Sequence, residues 1–409
     1  MTAQRGNQHE AKRPRVAVVA AGVVSPLGAG LEETLASLRA ARDCIAPVER
    51  FPVEQCRCTT AGQVDDEWLA GVLPNDRRAG RLHRASRMMI RALAELLAQA
   101  PEFHPELTVV GTTSGGMGFG EQYYRALQQP GARVAQMPAW IANYPPQKPA
   151  VDALEACGLK SPCQVIANAC ASGTNAIGHA FECIRSGRYD RVLTGGYDAL
   201  SELVFVGFDS LQAATPDICR PFDSARNGLV LGEGAALLAL ENLNRAERRG
   251  AHILAEITGY GISTDNHHLT QPNPSGSGPR QAMERALQSA GRPPEAIGYV
   301  NAHGTATPFN DAAEGRAIAE LLGRVPISST KGMMGHSLGA AGAIEAVITI
   351  LALRNNFLPA NLNFRGADPG LDLDIVANEV RPAAPAAALS NSFGFGGTNA
   401  SIVIEALAA

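Results

Sequence analysis

Gln164-Val-Ile-Ala-Asn-Ala-Cys-Ala-Ser-Gly-Thr-Asn-Ala-Ile-Gly-His-Ala-Phe-Glu-Cys-Ile-Arg-Ser186 decides the fold. An apolar run, Gln164 to Ala169, reads as a buried strand and gives way to a small-residue segment with helical periodicity. Ile177, Ala180, Phe181 and Ile184 recur at i, i+3, i+4 and i+7, one face of a helix over Ala171–Ser186. Cys170 sits at the junction. There the first free backbone N–H groups and the positive helix end face the thiol, a field expected to lower its pKa and make it a nucleophile. A cysteine in an apolar setting is more often an inert core residue, so the motif needs company.

The same unit recurs. Short strands alternate with Ala-rich helical patterns along the chain: Arg15–Val24, Leu107–Gly111, Arg191–Thr194, Ala236–Leu240, Ile253–Gly259, Gly298–Asn301, Pro326–Ser328 and Ala400–Ile404. Such alternation predicts an α/β protein with buried sheets. Pro326–Leu353 repeats the strand, small-residue loop and Ala/Gly-rich helix of Gln164–Ser186, a sign of duplication. Pro272–Pro279 reads as a loop rather than a linker, because helical periodicity resumes at once.

Three more segments carry chemistry. Tyr299-Val-Asn-Ala-His-Gly-Thr-Ala-Thr-Pro308 brings His303 to the end of a strand. Ser328-Ser-Thr-Lys-Gly-Met-Met-Gly-His-Ser-Leu-Gly-Ala-Ala-Gly-Ala-Ile-Glu345 carries Lys331, His336 and Glu345 into a helix. Ser390-Asn-Ser-Phe-Gly-Phe-Gly-Gly-Thr-Asn399 is a glycine-rich loop before the last strand. Only tertiary folding could join them to Cys170. In this order the four motifs resemble those of β-ketoacyl-[acyl-carrier-protein] synthases, the elongating Cys-His-His type, over about Val16 to Ile404.

The resemblance implies a thiolase-like fold of two duplicated halves in five α-β-α-β-α layers. The expected division is a polar tail over 1–14, a half with the nucleophile over 15–251 and a half with both histidines over 252–409. It implies a decarboxylative condensation of acyl- with malonyl-carrier protein, in fatty-acid elongation or in a dedicated polyene or polyketide pathway. A thiolase would need a second cysteine as base. A silent chain-length subunit would lack the nucleophile.

A thiolate attacks thioesters well, and a covalent intermediate divides a hard step in two. Carbon–carbon bond formation then needs an enolate, whose oxygen two neutral imidazoles can stabilise, the role assigned to His303 and His336. By resemblance, the backbone N–H groups of Cys170 and Phe395 form the oxyanion hole; glycines on both sides make that loop soft enough to swing, so Phe395 is also expected to be a gate. Lys331 and Glu345 are an ion pair behind the second histidine, and Thr270, Thr305, Thr307 and Phe393 bind substrate. Arg77, Arg78, Arg81 and Arg84, with Arg87 and Arg91 further on, recur largely at helical spacing and are expected to dock the acidic carrier protein. Asn168 in place of the usual Thr, the short loop Gln212–Arg220 and Tyr144-Pro-Pro-Gln147 depart from the family pattern near the acyl pocket.

Composition narrows the setting. A formal net charge of −4 argues against a general nucleic-acid binder. No apolar run is long enough to span a bilayer, and residues 1–14 lack the apolar stretch of a secretory signal. Eight irregularly spaced cysteines then suggest reduced thiols in a cytoplasm. No metal site is expected: Cys56-Arg-Cys58 has no partner pair, and the side chains of His267 and His268 diverge. No cofactor is expected. The expected assembly is a homodimer, or a heterodimer with a related subunit.

Overall fold

A computed structural model describes residues 13–71, 81–131 and 138–407. Five strands of the central sheet belong to the first half: β1 (Val16–Val24), β2 (Leu107–Gly111), β3 (Cys163–Ile166), β4 (Arg191–Asp198) and β5 (Gly234–Asn242). Their counterparts in the second half are β6 (Ala255–Thr264), β7 (Tyr299–Asn301), β8 (Pro326–Ser328), β9 (Ala387–Gly394) and β10 (Thr398–Glu405), and a short strand without a counterpart, Asp374–Ile375, extends the sheet beyond β8. The spatial order is β1-β5-β4-β2-β3 in one and β6-β10-β9-β7-β8 in the other. In both, the first two pairings are antiparallel and the last two parallel. The same strand order with the same polarity is a duplication written into the topology. A short antiparallel pairing of Val16–Val18 with Ala255–Ile257 joins the halves, so the hydrogen-bonded sheet runs unbroken through both.

The helices complete five layers. α1 (Arg84–Gln99) and α2 (Lys148–Ala156) cover the outside of the first half, α4 (Ser277–Ala290) and α5 (Pro308–Leu322) the outside of the second. Between them lie α3 (Ser172–Arg185) and α6 (Ala341–Arg354), which touch strands of both halves and each other. Ile177, Ala180, Phe181 and Ile184 are all buried, as their spacing predicts. α6 is buried all round from Ala341 to Leu353, the pattern of a helix inside a core rather than on a surface. The two inner helices cross closely: a Cβ on Gly173 would lie 2.7 Å from the Gly339 carbonyl oxygen. Both helix N-termini therefore open at one place, between the halves.

Two expectations at this junction change. The strand before the nucleophile ends at Ile166, not Ala169. Ala169 adopts φ +57°, in the left-handed region, which turns the chain sharply before Cys170. The glycine-rich segment Ser390–Asn399 is mostly sheet: β9 runs to Gly394 and β10 starts at Thr398, leaving Phe395–Gly397 as the turn. Ser390, Asn391 and Ser392 are buried in that strand, and a buried polar run carries no apolar alternation to reveal it.

Candidate active site

A pocket of about 220 Å³ opens where the inner helices meet, lined by Cys170, His303, His336, Phe393, Phe395, Thr270, Thr305 and Thr307. Cys170 precedes α3, and the backbone N–H groups of Phe395 and of Cys170 itself face its sulfur. Close approach of the β9–β10 turn requires glycine. A Cβ on Gly394 would sit 3.1 Å from the Cys170 nitrogen. The thiol does not ionise as its helix-terminal position suggests. Burial pushes it up to about 12; Lys331 and the two N–H groups pull it down, and Asp198 pushes it further up. Local dipole loses to global desolvation, so the resting group is a protonated thiol.

His303 follows β7 and His336 precedes α6. Their rings meet edge to face at 5.2 Å between centroids, and Phe393 packs on His303 at 5.8 Å. Burial holds both imidazoles well below their ordinary pKa; the Lys331 charge adds to this for both, and His336 adds to it for His303. They are neutral, hence suited to donate hydrogen bonds and poor at taking protons. Lys331 Nζ donates to the His303 carbonyl at 2.6 Å and lies 3.5 Å from His303 Nδ1. A cationic donor on that side leaves Nδ1 as acceptor and puts the ring proton on Nε2.

Lys331 and Glu345 do form a buried pair. It stands behind the first histidine, not the second as expected: Lys331 opens the one-turn helix Lys331–Met334 after β8, next to β7, the strand that His303 follows. Burial raises the Glu345 carboxyl to about 7 even with Lys331 drawing it down. Thr305 and Thr307 share a hydrogen bond at 2.9 Å between their hydroxyls on the pocket wall.

Glu314, absent from the sequence reading, is fully buried on α5 and accepts the backbone N–H groups of His303 and Gly304, each at 2.8 Å. Asn391 donates to the same carboxylate at 3.2 Å. Burial raises it to about 7. Its clue was available: two acids, Asp311 and Glu314, open the helix that follows the His303 loop. Phe208, on the helix Glu202–Ser210, was also missed; its ring stacks on Phe395 at 5.5 Å.

The arginine cluster divides. Arg77 and Arg78 lie outside the described residues. Arg81 is exposed. Arg84 is spent inside the protein: its guanidinium binds buried Glu233 at 2.8 to 3.0 Å and also Asp66 and the Val64 carbonyl. It is not available to a partner, because helical spacing aligns residues along a face without saying whether the face is covered. Among the described residues no group of three or more His, Cys, Asp and Glu side chains could hold a metal, and no helix is long and apolar enough to cross a membrane.

The β-ketoacyl synthase N-terminal domain profile matches residues 13–246, and the C-terminal domain profile matches residues 254–365. The chain belongs to the β-ketoacyl synthase family. It is 35% identical to the 3-oxoacyl-[acyl-carrier-protein] synthase 2 of Synechocystis sp., across 96% of this chain and 98% of that protein. Among solved structures, the ishigamide ketosynthase/chain length factor superposes with a TM-score of 0.89 at 33% identity, covering 97% of this chain and all of that one. A type II polyketide ketosynthase solved with its acyl-carrier protein and bound to a hexaketide gives 0.87 at 28% identity, with 97% and 100% coverage. The thiolase-like architecture of the synthases is the architecture found here.

Proposed function

We propose that this β-ketoacyl synthase condenses an acyl-carrier protein with a malonyl-carrier protein, as the 3-oxoacyl-carrier-protein synthases of fatty-acid elongation are named for doing. One observation carries the reading: a thiol facing two backbone N–H groups shares a pocket with two neutral imidazoles.

In the first half-reaction the Cys170 sulfur attacks the acyl thioester carbonyl. The oxyanion rests on the N–H groups of Cys170 and Phe395, and the carrier thiol departs with the cysteine proton. Since the resting thiol is protonated, that transfer accompanies attack instead of preceding it. In the second, the malonyl carboxylate leaves as CO2 and its electron pair becomes an enolate, held by the Nε2–H groups of His303 and His336. The enolate carbon attacks acyl-Cys170, the new C–C bond replaces the C–S bond, and the cysteine thiolate regains a proton from solvent. Lys331 and Glu314 fix the His303 loop from behind.

Arg77, Arg78 and Arg81 remain the proposed docking surface, with an acidic carrier protein as its partner, and Arg84 does not belong to it. Dimerisation through the first half is also proposed. Among the described residues, edge strand β3 pairs only with β2, and Tyr124, Ile141, Tyr144, Leu203 and Val206, also on the first half, are exposed and line one apolar depression. We set the boundary between the two halves near Ala251. Eight unpaired cysteines fit a reducing compartment, so the proposed location is the cytoplasm.

Intact-mass measurement after incubation with acyl-carrier protein tests the reading. A single acyl adduct on Cys170, discharged with CO2 release when malonyl-carrier protein is added, is expected. No adduct, or one on Cys163, overturns it.

A further inference from the structure

Asp198, the last residue of β4, is a fully buried acid that takes no step in the mechanism, although its charge is felt by the Cys170 thiol. Its Oδ1 accepts the Thr112 hydroxyl, the Ser114 hydroxyl and the Ser114 N–H at 2.7 to 2.8 Å. Its Oδ2 accepts the Thr113 N–H at 2.8 Å and the Gly339 N–H at 2.7 Å. The first four donors belong to the first half of the molecule. The fifth belongs to the second half, three residues after His336.

His336 needs an outside anchor. Neither of its ring nitrogens has a hydrogen-bond partner among the described residues, whereas His303 has Lys331 behind it. Its backbone is tied to the first half, N–H to the Val230 carbonyl at 2.7 Å and carbonyl to the Gly232 N–H at 2.8 Å. From there the chain passes through Leu338, whose φ of +52° is costly for a side chain of that size. It then reaches Gly339, where a Cβ would stand 2.7 Å from Asp198 Oδ2. A turn in that conformation persists only if both ends are held.

We propose that Asp198 is the positioning residue for His336, pinning the Gly339 N–H and so the strained turn that aims the second imidazole. The proposal rests on His336 acting as an enolate donor, as read above. It makes one half of the molecule responsible for the aim of a catalytic group carried by the other.

The test compares two half-reactions in Asp198→Ala, Asp198→Asn and His336→Ala: acylation of Cys170 and decarboxylation of malonyl-carrier protein. Asp198→Ala should slow decarboxylation roughly tenfold to a hundredfold without slowing acylation, because losing the Asp198 charge removes one of the influences that hold the Cys170 thiol up. Asp198→Asn should recover part of the loss. The hydroxyls of Thr112 and Ser114 can turn to accept from the amide nitrogen, leaving its oxygen on Gly339, at the cost of the Ser114 N–H, which loses its acceptor. If Asp198→Ala does not fold, Asp198→Asn combined with Thr112→Val and Ser114→Ala keeps the shape but removes the groups that orient the amide. Roughly a threefold to tenfold loss confined to decarboxylation is then expected. Equal loss in both half-reactions, or none in either, overturns the proposal if His336→Ala remains selective for decarboxylation. If His336→Ala itself slows both alike, it is the donor reading of His336 that falls.

Discussion

The two halves share one strand order, yet the loop after the third strand differs sharply between them. In the first half, Ala167 to Ala171 turns from β3 into α3 and delivers a single thiol. In the second, Ser329 to Ala340 lies between β8 and α6 and holds Lys331, a strained turn and His336. Duplication placed two helix N-termini face to face, and divergence of the loops in front of them supplied different chemistry. The tight loop has space for a nucleophile only. The expanded one has space for a cation and an imidazole, and the strand beside it adds His303.

This division can be broken from either side. The largest effect belongs to the tight loop. Cys170→Ala should lower condensation by on the order of ten-thousandfold while malonyl decarboxylation, which needs no thiol, continues. Product formation and CO2 release, measured on a variant with an unchanged melting temperature, check this. Loss of both would mean that the halves do not divide the reaction.

From the other side, His336→Ala should cost about a hundredfold to a thousandfold in decarboxylation and leave burst acylation of Cys170 intact. Rapid-quench acylation against CO2 release separates the two.

The buried imidazole also makes stability depend on pH. Below about pH 6.5 the unfolded chain protonates a histidine that the native core keeps neutral, so acid favours unfolding. Wild type should therefore lose up to about 1.4 kcal/mol per pH unit more than His336→Ala. Glu314 and Glu345, raised to about 7, push in the opposite direction, because the native state then takes up protons first. Both proteins retain them, so the difference between urea midpoints isolates the histidine. Identical pH profiles would remove the case for a neutral His336.

The smallest effect is at the surface of the first half. Arg81→Glu should raise KM for carrier-bound substrate several-fold and leave a small pantetheine thioester unaffected, as expected for a steering charge. Parallel changes on both substrates would assign Arg81 a structural role.

The sequence disclosed most where local pattern and tertiary position agree. The period of α3 and the junctions holding Cys170, His303 and His336 could be read directly. It disclosed least where the outcome turns on what lies across the core. An alanine at 169 carries no sign of a left-handed conformation. The charge state of Cys170 depends on burial by segments distant in sequence. Lys331 was assigned to the wrong histidine because its neighbour is set by the parallel pairing of β7 and β8, not by proximity along the chain. Arg84 and Asp198 look alike in one respect: each is a charged residue whose partners all lie in other elements. Periodicity cannot see such partners.

The β9–β10 turn has one more consequence, for the history of each molecule. Phe395 faces Cys170 from the turn between β9 and β10, strands whose partners β7 and β6 lie far away in the sequence, so its place depends on long-range pairing. A partly folded molecule can expose the cysteine, but it lacks half of the oxyanion support. The oxyanion hole is thus complete only in a molecule whose sheet is complete.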